Sequence, residues 1–461
     1  MKLNRIFLPM QRYGWIALPI VIAVSIPIAA GIPGLISIFQ HSSISKDYVY
    51  PFTLELPGTR DRKLILQQEI AFYQARLQQS PDSGLNLQSL ANAYWKMGKA
   101  TGEVSWYLLA EKTAQQSLAA LPFSNSGAQL TLARISQARH DFATAIDLSR
   151  KVLTHEPGNP EAQAILGTCY LAIGNLKQAE QHITTLVNQT PTLETLTLQA
   201  LVEEAQGKAS AENTFRSALK AEEAGEVGGS ALVRVFLGRH FYRRGQLDQA
   251  AALYREALRI LPRYPLATLH LAMVETRQGH WQAAEALYDQ VIAYSQQSVT
   301  LYDHTVLRGK ARLQQLRGQN FQTTLQKAET LLRRETNAGH SNGTFGHQRE
   351  LAQLLLDRGT PQDNAEALQL MQQEIKLRQD AQTLAVYARS LARGDQADKA
   401  LTAIQTALRS GIQDASLLMQ AAQIAEQVGD RTLANQYRQQ AKQVDPSFNE
   451  AAQKMVGIDV L

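Results

Sequence analysis

The chain has 461 residues, 44% of them hydrophobic, a net charge of +5 at pH 7 and a single cysteine. So small a net charge for this length gives no bulk electrostatic case for binding nucleic acid, and one cysteine excludes an internal disulfide framework and a cysteine-rich metal site. Alanine, leucine and glutamine abound and β-branched runs are scarce outside the N-terminal segment, so helix is expected throughout and a sheet is not.

Residues 1–14 carry Lys2, Arg5 and Arg12 and no acid, and residues 15–39 follow without a single charge. At ~1.5 Å rise per residue this run spans about 37 Å, enough to cross a hydrocarbon core of ~30 Å with some tilt. It reads as one transmembrane helix, bent at Pro19, Pro27 and Pro33, prolines that membrane helices tolerate. The basic N-terminal flank puts the N-terminus in the cytoplasm and the rest of the chain outside it. A cleaved secretory signal, cut after Ser25 or near Ala30, is the competing reading. It also exports the remainder, as a periplasmic or secreted protein. Residues 40–63 form a juxtamembrane linker whose Tyr48, Tyr50 and Phe52 suit either the bilayer interface or docking on the first helices.

From Leu64 to Phe448 the sequence repeats with a helical period. The clearest copies lie between Ala231 and Ser298, where two 34-residue units stand end to end. Leu237 and Leu271 share position 7, Gly238 and Ala272 position 8, Gly245 and Gly279 position 15. Ala250 and Ala284 share position 20, Tyr254 and Tyr288 position 24, Ala257 and Val291 position 27. Small residues at 8 and 20 allow two helices to approach closely, and the aromatic at 24 fills the space between neighbouring hairpins. A half-unit at 64–81 comes first. The first full unit follows, with Leu90, Ala91, Tyr94, Gly98 and Ala110 and a turn region about seven residues longer than in the other units, which extends both its helices. Units at 126–159 and 160–193 follow, the latter with Leu166, Gly167, Tyr170, Gly174, Ala179 and Ile183. A weaker unit around 193–226 precedes the clearest pair. A drifted unit at 304–336 and a degenerate one near 347–380 flank a glycine-rich stretch at 335–350 that reads as a flexible break. Units at 381–414 and 415–448 recover the pattern, and the polar helix in 449–461 is expected to cap the stack.

This pattern resembles the tetratricopeptide repeat family, whose signature places Leu-Gly, aromatic, Ala, aromatic, Ala and Pro at these offsets. The resemblance implies an all-α superhelical solenoid of about ten stacked antiparallel helix hairpins, following the single transmembrane helix.

No catalytic, cofactor-binding or metal-binding constellation is found. There is no phosphate-binding glycine loop, His-Glu-x-x-His, Gly-x-Ser-x-Gly or Cys-x-x-Cys. Glu203 and Glu204 are expected on solvated helix faces, pointing apart. His340 and His347 read as surface histidines rather than ligands, and Cys169 as a small core residue.

In the family that the chain resembles, the inner face is lined by first-helix positions 2, 5, 9, 12 and 13. Position 9 holds Arg134, Arg239, Arg312 and Arg389, position 13 holds Arg243, Arg277 and Arg393, and Tyr242 stands at position 12. Arginines beside an aromatic suit a carboxylate-bearing peptide, through forked hydrogen bonds and cation–π contact. The competing reading makes the same arginines an exposed face paired with local acids. The sequence thus predicts a non-enzymatic, membrane-tethered scaffold that binds protein, with an acidic peptide segment as the sharpest partner and neither nucleic acid nor a small-molecule substrate expected. A non-catalytic regulatory subunit of a secretion or polysaccharide enzyme system, or an envelope spacer, is the alternative.

Overall fold

The computed structural model describes residues 45–54, 62–294, 300–337 and 347–458. The expected transmembrane segment at 15–39 lies outside them, as does most of the glycine-rich break. Among the described residues no helix is long and apolar enough to cross a membrane. They hold 22 α-helices and no strand, only an isolated antiparallel bridge between Glu103 and Thr300.

Helix α1 (Arg62–Gln79) precedes ten helix hairpins. Units one to five are α2 (Gly84–Thr101) with α3 (Val104–Ala120), α4 (Ser126–Ala138) with α5 (Phe142–His155), α6 (Pro160–Ala172) with α7 (Leu176–Gln189), α8 (Leu193–Ala205) with α9 (Ala211–Lys220), and α10 (Val227–Tyr242) with α11 (Leu247–Ile260). Units six to ten are α12 (Pro265–Arg277) with α13 (Trp281–Tyr294), α14 (Asp303–Leu316) with α15 (Gln322–Asn337), α16 (Gln348–Arg358) with α17 (Pro361–Glu374), α18 (Ala381–Arg393) with α19 (Ala397–Leu408), and α20 (Ala415–Gln427) with α21 (Arg431–Val444). A short helix, α22 (Glu450–Lys454), follows.

Local chemistry sets these boundaries. Asn159 caps α6 by accepting the Ala162 N–H at 3.0 Å, with Pro160 in the first turn where its missing N–H costs nothing. Each of the ten hairpin turns contains one left-handed residue: glycine in eight, and His140 and Asp395 (φ 60° and 56°) in units two and nine. The turn of unit five shows the resulting closure, in which the Gln246 N–H donates back to the Phe241 carbonyl at 3.0 Å.

The small-residue positions do what the spacing predicts. A Cβ on Gly238 would lie 2.5 Å from the Tyr254 ring, and one on Gly167 would lie 2.3 Å from the Ile183 side chain. Tyr254 also stacks on His270 of the next unit, 5.4 Å between ring centroids, so the aromatic at position 24 fills the junction between hairpins. First helices of neighbouring units touch one another from α2 to α14 and again from α16 to α20, which places the first helices on the inner side of the curve. Unit eight, degenerate in sequence, is a complete hairpin. Leu351, Ala352, Leu354, Leu355 and Leu356 are buried in α16, and a Thr360–Asp363 capping box opens α17.

A second set of contacts joins units five apart. The Leu301 N–H, just before unit seven, donates to the Gly102 carbonyl in the turn of unit one at 3.1 Å. The Gln379 N–H, before unit nine, donates to the Ile173 carbonyl at the turn of unit three at 3.1 Å. At the turn of unit four, Gly207 lies so close to Gly411, before unit ten, that an added Cβ would be 1.8 Å from its carbonyl oxygen. In unit two, His140 meets His347 edge-on at 5.7 Å, and in unit five Ser447 Oγ donates to the Gly245 carbonyl at 3.5 Å. The hairpin turns of one superhelical turn thus rest on the inter-unit loops of the next.

Three expectations are corrected. Residues 45–54 dock, but on units four and five rather than on the first helices. Arg234 Nε donates to the Tyr48 carbonyl and the Tyr50 N–H to Glu256 Oε1, each at 2.8 Å, with both tyrosines buried. Helix α22 does not extend the stack but packs back on α12 and α14, because Met455 and Ile458 find an apolar seat there. Glu203 and Glu204 are buried, not solvated: Glu203 accepts from Gln199, Ser210 and Thr214, and Glu204 faces Arg239, His240 and Arg243 of α10.

Candidate functional site

The inner face is built from first-helix side chains. Their order along each helix follows the repeat, so every unit delivers positions 9 and 13 to the same side. Arg134 lies 4.4 Å over the Trp95 ring and forms an ion pair with Glu161. Arg239 and Arg243 both approach Glu204 at 3.6 Å, and Arg243 also lies 3.8 Å from Asp414. His240 Nδ1 stands 3.1 Å from the same glutamate. Arg277 Nη1 donates to the Tyr242 carbonyl at 3.0 Å and Nη2 to Asp445 at 2.6 Å, with the guanidinium 4.9 Å over the Tyr242 ring. Arg312 and Arg389 share Asp357, the latter at 2.9 Å. Arg393 is exposed. The predicted row is therefore brought together, but most of it is engaged by acids of this chain, several from the other superhelical turn.

Two of those acids are held strongly in the charged form. Burial alone raises the Glu204 carboxyl, but the hydrogen bond from His240 and the charges of Arg243 and Arg239 outweigh it and hold the group down at about 2. Asp357 is likewise raised by burial and lowered further by Arg312, Arg389 and Arg308, to about 2. Glu204, Asp357 and Asp445 were not legible as site residues, since their partners stand far away in sequence. Arg308 was also missed, although it occupies position 5 of unit seven. It is fully buried and donates to Gln353 Oε1 at 2.9 Å.

The chain's C-terminal segment is seated on this face. Met455 and Ile458 are buried against the core of units five to seven, and Arg312 Nη1 donates to the Val456 carbonyl. Gly457 abuts Gln353, where an added Cβ would lie 2.5 Å from Nε2.

Among the described residues no group of three or more His, Cys, Asp or Glu could hold a metal ion. His340 lies outside these residues, while His347 packs on His304 with ring centroids 4.4 Å apart. Burial, then the neighbouring His347, keep His304 well below the ordinary histidine range. Cys169 is buried in the core and burial pushes its thiol up to about 12, which makes it unreactive at neutral pH. A cleft of about 900 Å³ between the turn of unit five and the end of unit ten, lined by Gly245, Ile412, Tyr437 and Gln440 among others, gathers no acid–base group pair.

Comparison with known proteins agrees with this architecture. Residues 136–202 and 241–305 match the tetratricopeptide repeat family, and residues 199–265 match a second description of the same repeat. No curated protein sequence matches the chain. Among solved structures, a human IFIT1 dimer with PPP-AAAA is similar at 16% identity, covering 80% of this chain and 84% of that one with a TM-score of 0.44. PilW, described as a widely conserved type IV pilus biogenesis factor, is similar at 16% identity over 47% of this chain and 96% of its own, TM-score 0.37. A tetratricopeptide repeat protein from Parabacteroides merdae is similar at 15% identity over 57% and 96%, TM-score 0.35. Residues 136–305 thus form a tetratricopeptide repeat array.

Proposed function

We propose that this chain is a membrane-tethered protein-interaction scaffold whose first-helix face takes an acidic segment of a partner protein, acting by binding and not by catalysis. The repeat family makes a protein-interaction scaffold the general role. The observation that carries the finer reading is the arginine row, which already holds carboxylates delivered from elsewhere in the chain: Glu204, Asp357 and Asp445. A face that binds such groups internally has the chemistry to bind them from a partner.

Tethering is supported by the uncharged run at 15–39. Of the nine large apolar side chains exposed among the described residues, seven lie between Leu64 and Phe123, so the apolar surface is gathered at the end of the array nearest that run in sequence. A tether holds the face near membrane clients and replaces a bimolecular search by a local one.

The test is crosslinking in cells followed by purification from solubilised membranes, comparing wild type with an Arg134→Glu, Arg393→Glu variant at the less buried end positions of the row. Loss of a co-purifying partner by at least about tenfold, a loss of ~1.4 kcal/mol, is expected from the folded variant. An unchanged partner set would remove the acidic-segment reading, and release of the full chain from membranes by alkaline carbonate would remove the tether.

A further inference from the structure

The seat on units five to eight is filled by residues of the chain's own tail, and among the described residues it is filled incompletely. Met455 and Ile458 supply the apolar contact and the Val456 carbonyl takes one donor of Arg312. Between these, Gly457 meets Gln353, whose side-chain oxygen takes a single Nη of Arg308. The Nε and the other Nη of that buried guanidinium have no acceptor among the described residues. A buried cation with two idle donors is an uncommon and unfavourable arrangement. It lies one side chain away from the end of a docked peptide segment.

We infer that this seat is a recognition site for a short partner segment bearing two apolar side chains three residues apart and a carboxylate that reaches Arg308, and that residues 449–458 are its exchangeable internal occupant. The inference rests on the scaffold reading above and names the partner's chemistry. Helix α22 has five residues, too few to hold itself in water without its seat. Residues 449–458 supply the apolar half of the ligand; a segment that adds a carboxylate gains a charge-assisted bond to Arg308 that these residues do not make, and therefore displaces them. Asp445 and Arg277, upstream in the regular contact between superhelical turns, stay in place during the exchange.

The test uses the full chain and a fluorescein-labelled peptide of residues 449–461. In Met455→Glu, Ile458→Glu protein, whose own tail no longer fits, the peptide is expected to bind at least about tenfold more tightly than to wild type. The same peptide carrying Gly457→Glu is expected to bind at least about tenfold more tightly than one carrying Gly457→Gln, which shares the strain of a side chain at this left-handed position (φ 76°) but lacks the charge, and Arg308→Gln in the protein to abolish that gain. No binding to the vacated protein, with its helical content and thermal unfolding unchanged, overturns the seat. An absent gain from the added carboxylate overturns the role of Arg308. Hydrogen exchange on the wild type decides exchangeability without any variant: amides of 451–458 should exchange at least about tenfold faster than those in the middle of α12, and equal protection would make the tail a fixed part of the core. A partner that co-purifies equally with wild type and vacated protein, alongside a peptide that binds neither, would remove this inference and leave the scaffold reading standing. Peptide exchange without any co-purifying partner would do the reverse.

Discussion

At the scale of single residues, the same left-handed glycine serves two different purposes. Gly207 and Gly318 share a φ of 66°, but an added Cβ at Gly207 would strike the Gly411 carbonyl at 1.8 Å while at Gly318 nothing lies within 4 Å. Gly318→Ala should therefore cost only the left-handed penalty, roughly 1 kcal/mol. Gly207→Ala should cost that and about 1–3 kcal/mol more, because two backbone turns have to separate. Urea midpoints of the two variants measure the difference, and equal losses would mean that the contact between turns contributes nothing. Glu204 gives a second prediction at this scale. Its folded carboxyl titrates at about 2, below the unfolded value of about 4.3, so its stabilisation is present above that value and is lost as pH falls toward 2. Between about pH 5 and pH 3 this one group should remove about 2 kcal/mol from the stability of the wild type. Glu204→Gln leaves Arg239 and Arg243 without their buried counter-charge and should cost about 3 kcal/mol at neutral pH. The variant's stability should fall less steeply on acidification; parallel pH profiles for the two proteins would show that Glu204 carries no such coupling.

At the scale of elements, what was legible follows from what is local. A hairpin is specified by small residues at positions 8 and 20, an aromatic at 24 and a glycine at the turn, all within one unit, so Gly238 with Tyr254 and Gly245 could be read directly. Even the lengthened helices of unit one followed from the spacing between Gly98 and Ala110. Unit eight was weak in sequence because its core is a run of leucines, Leu354 to Leu356, buried by neighbours on both sides rather than by the signature residues. The inner face was legible as a row of arginines but not as a paired one. Arg277 stands 168 residues before Asp445, and no periodicity links a cation to an acid on another turn of the superhelix. The same distance hid the seating of α22, while the burial of Glu204 comes from Arg239, His240 and Arg243 on the first helix of the next unit. A five-residue polar helix has no pattern that distinguishes a terminal cap from an insert, and only the apolar seat for Met455 and Ile458 decides it.

Across the whole described array, the contacts between units five apart change what kind of object this is. A solenoid whose units touch only their neighbours gains stability unit by unit, and its ends open first. Here the turn of unit one is bonded to the segment before unit seven through Gly102 and Leu301, and the exit from unit ten is held at the turn of unit five through Ser447 and Gly245. Loosening either end therefore breaks contacts with the middle as well as with a neighbour, which couples the two superhelical turns into one cooperative unit. Tryptophans are placed to test this: Trp95 and Trp106 lie in unit one and Trp281 in unit six. Tryptophan-to-phenylalanine variants that leave one site or the other should report coincident urea transitions in the otherwise wild-type chain. Gly174→Val together with Gly207→Val, which would drive side chains into Gln379 and Gly411, should part the turns so that the two probes report separate midpoints, each with a smaller slope because less surface is exposed per step. Probes already separate in the wild-type background, or still coincident in the double variant, would show that the units behave as a simple chain of neighbours and that the inter-turn contacts are energetically silent.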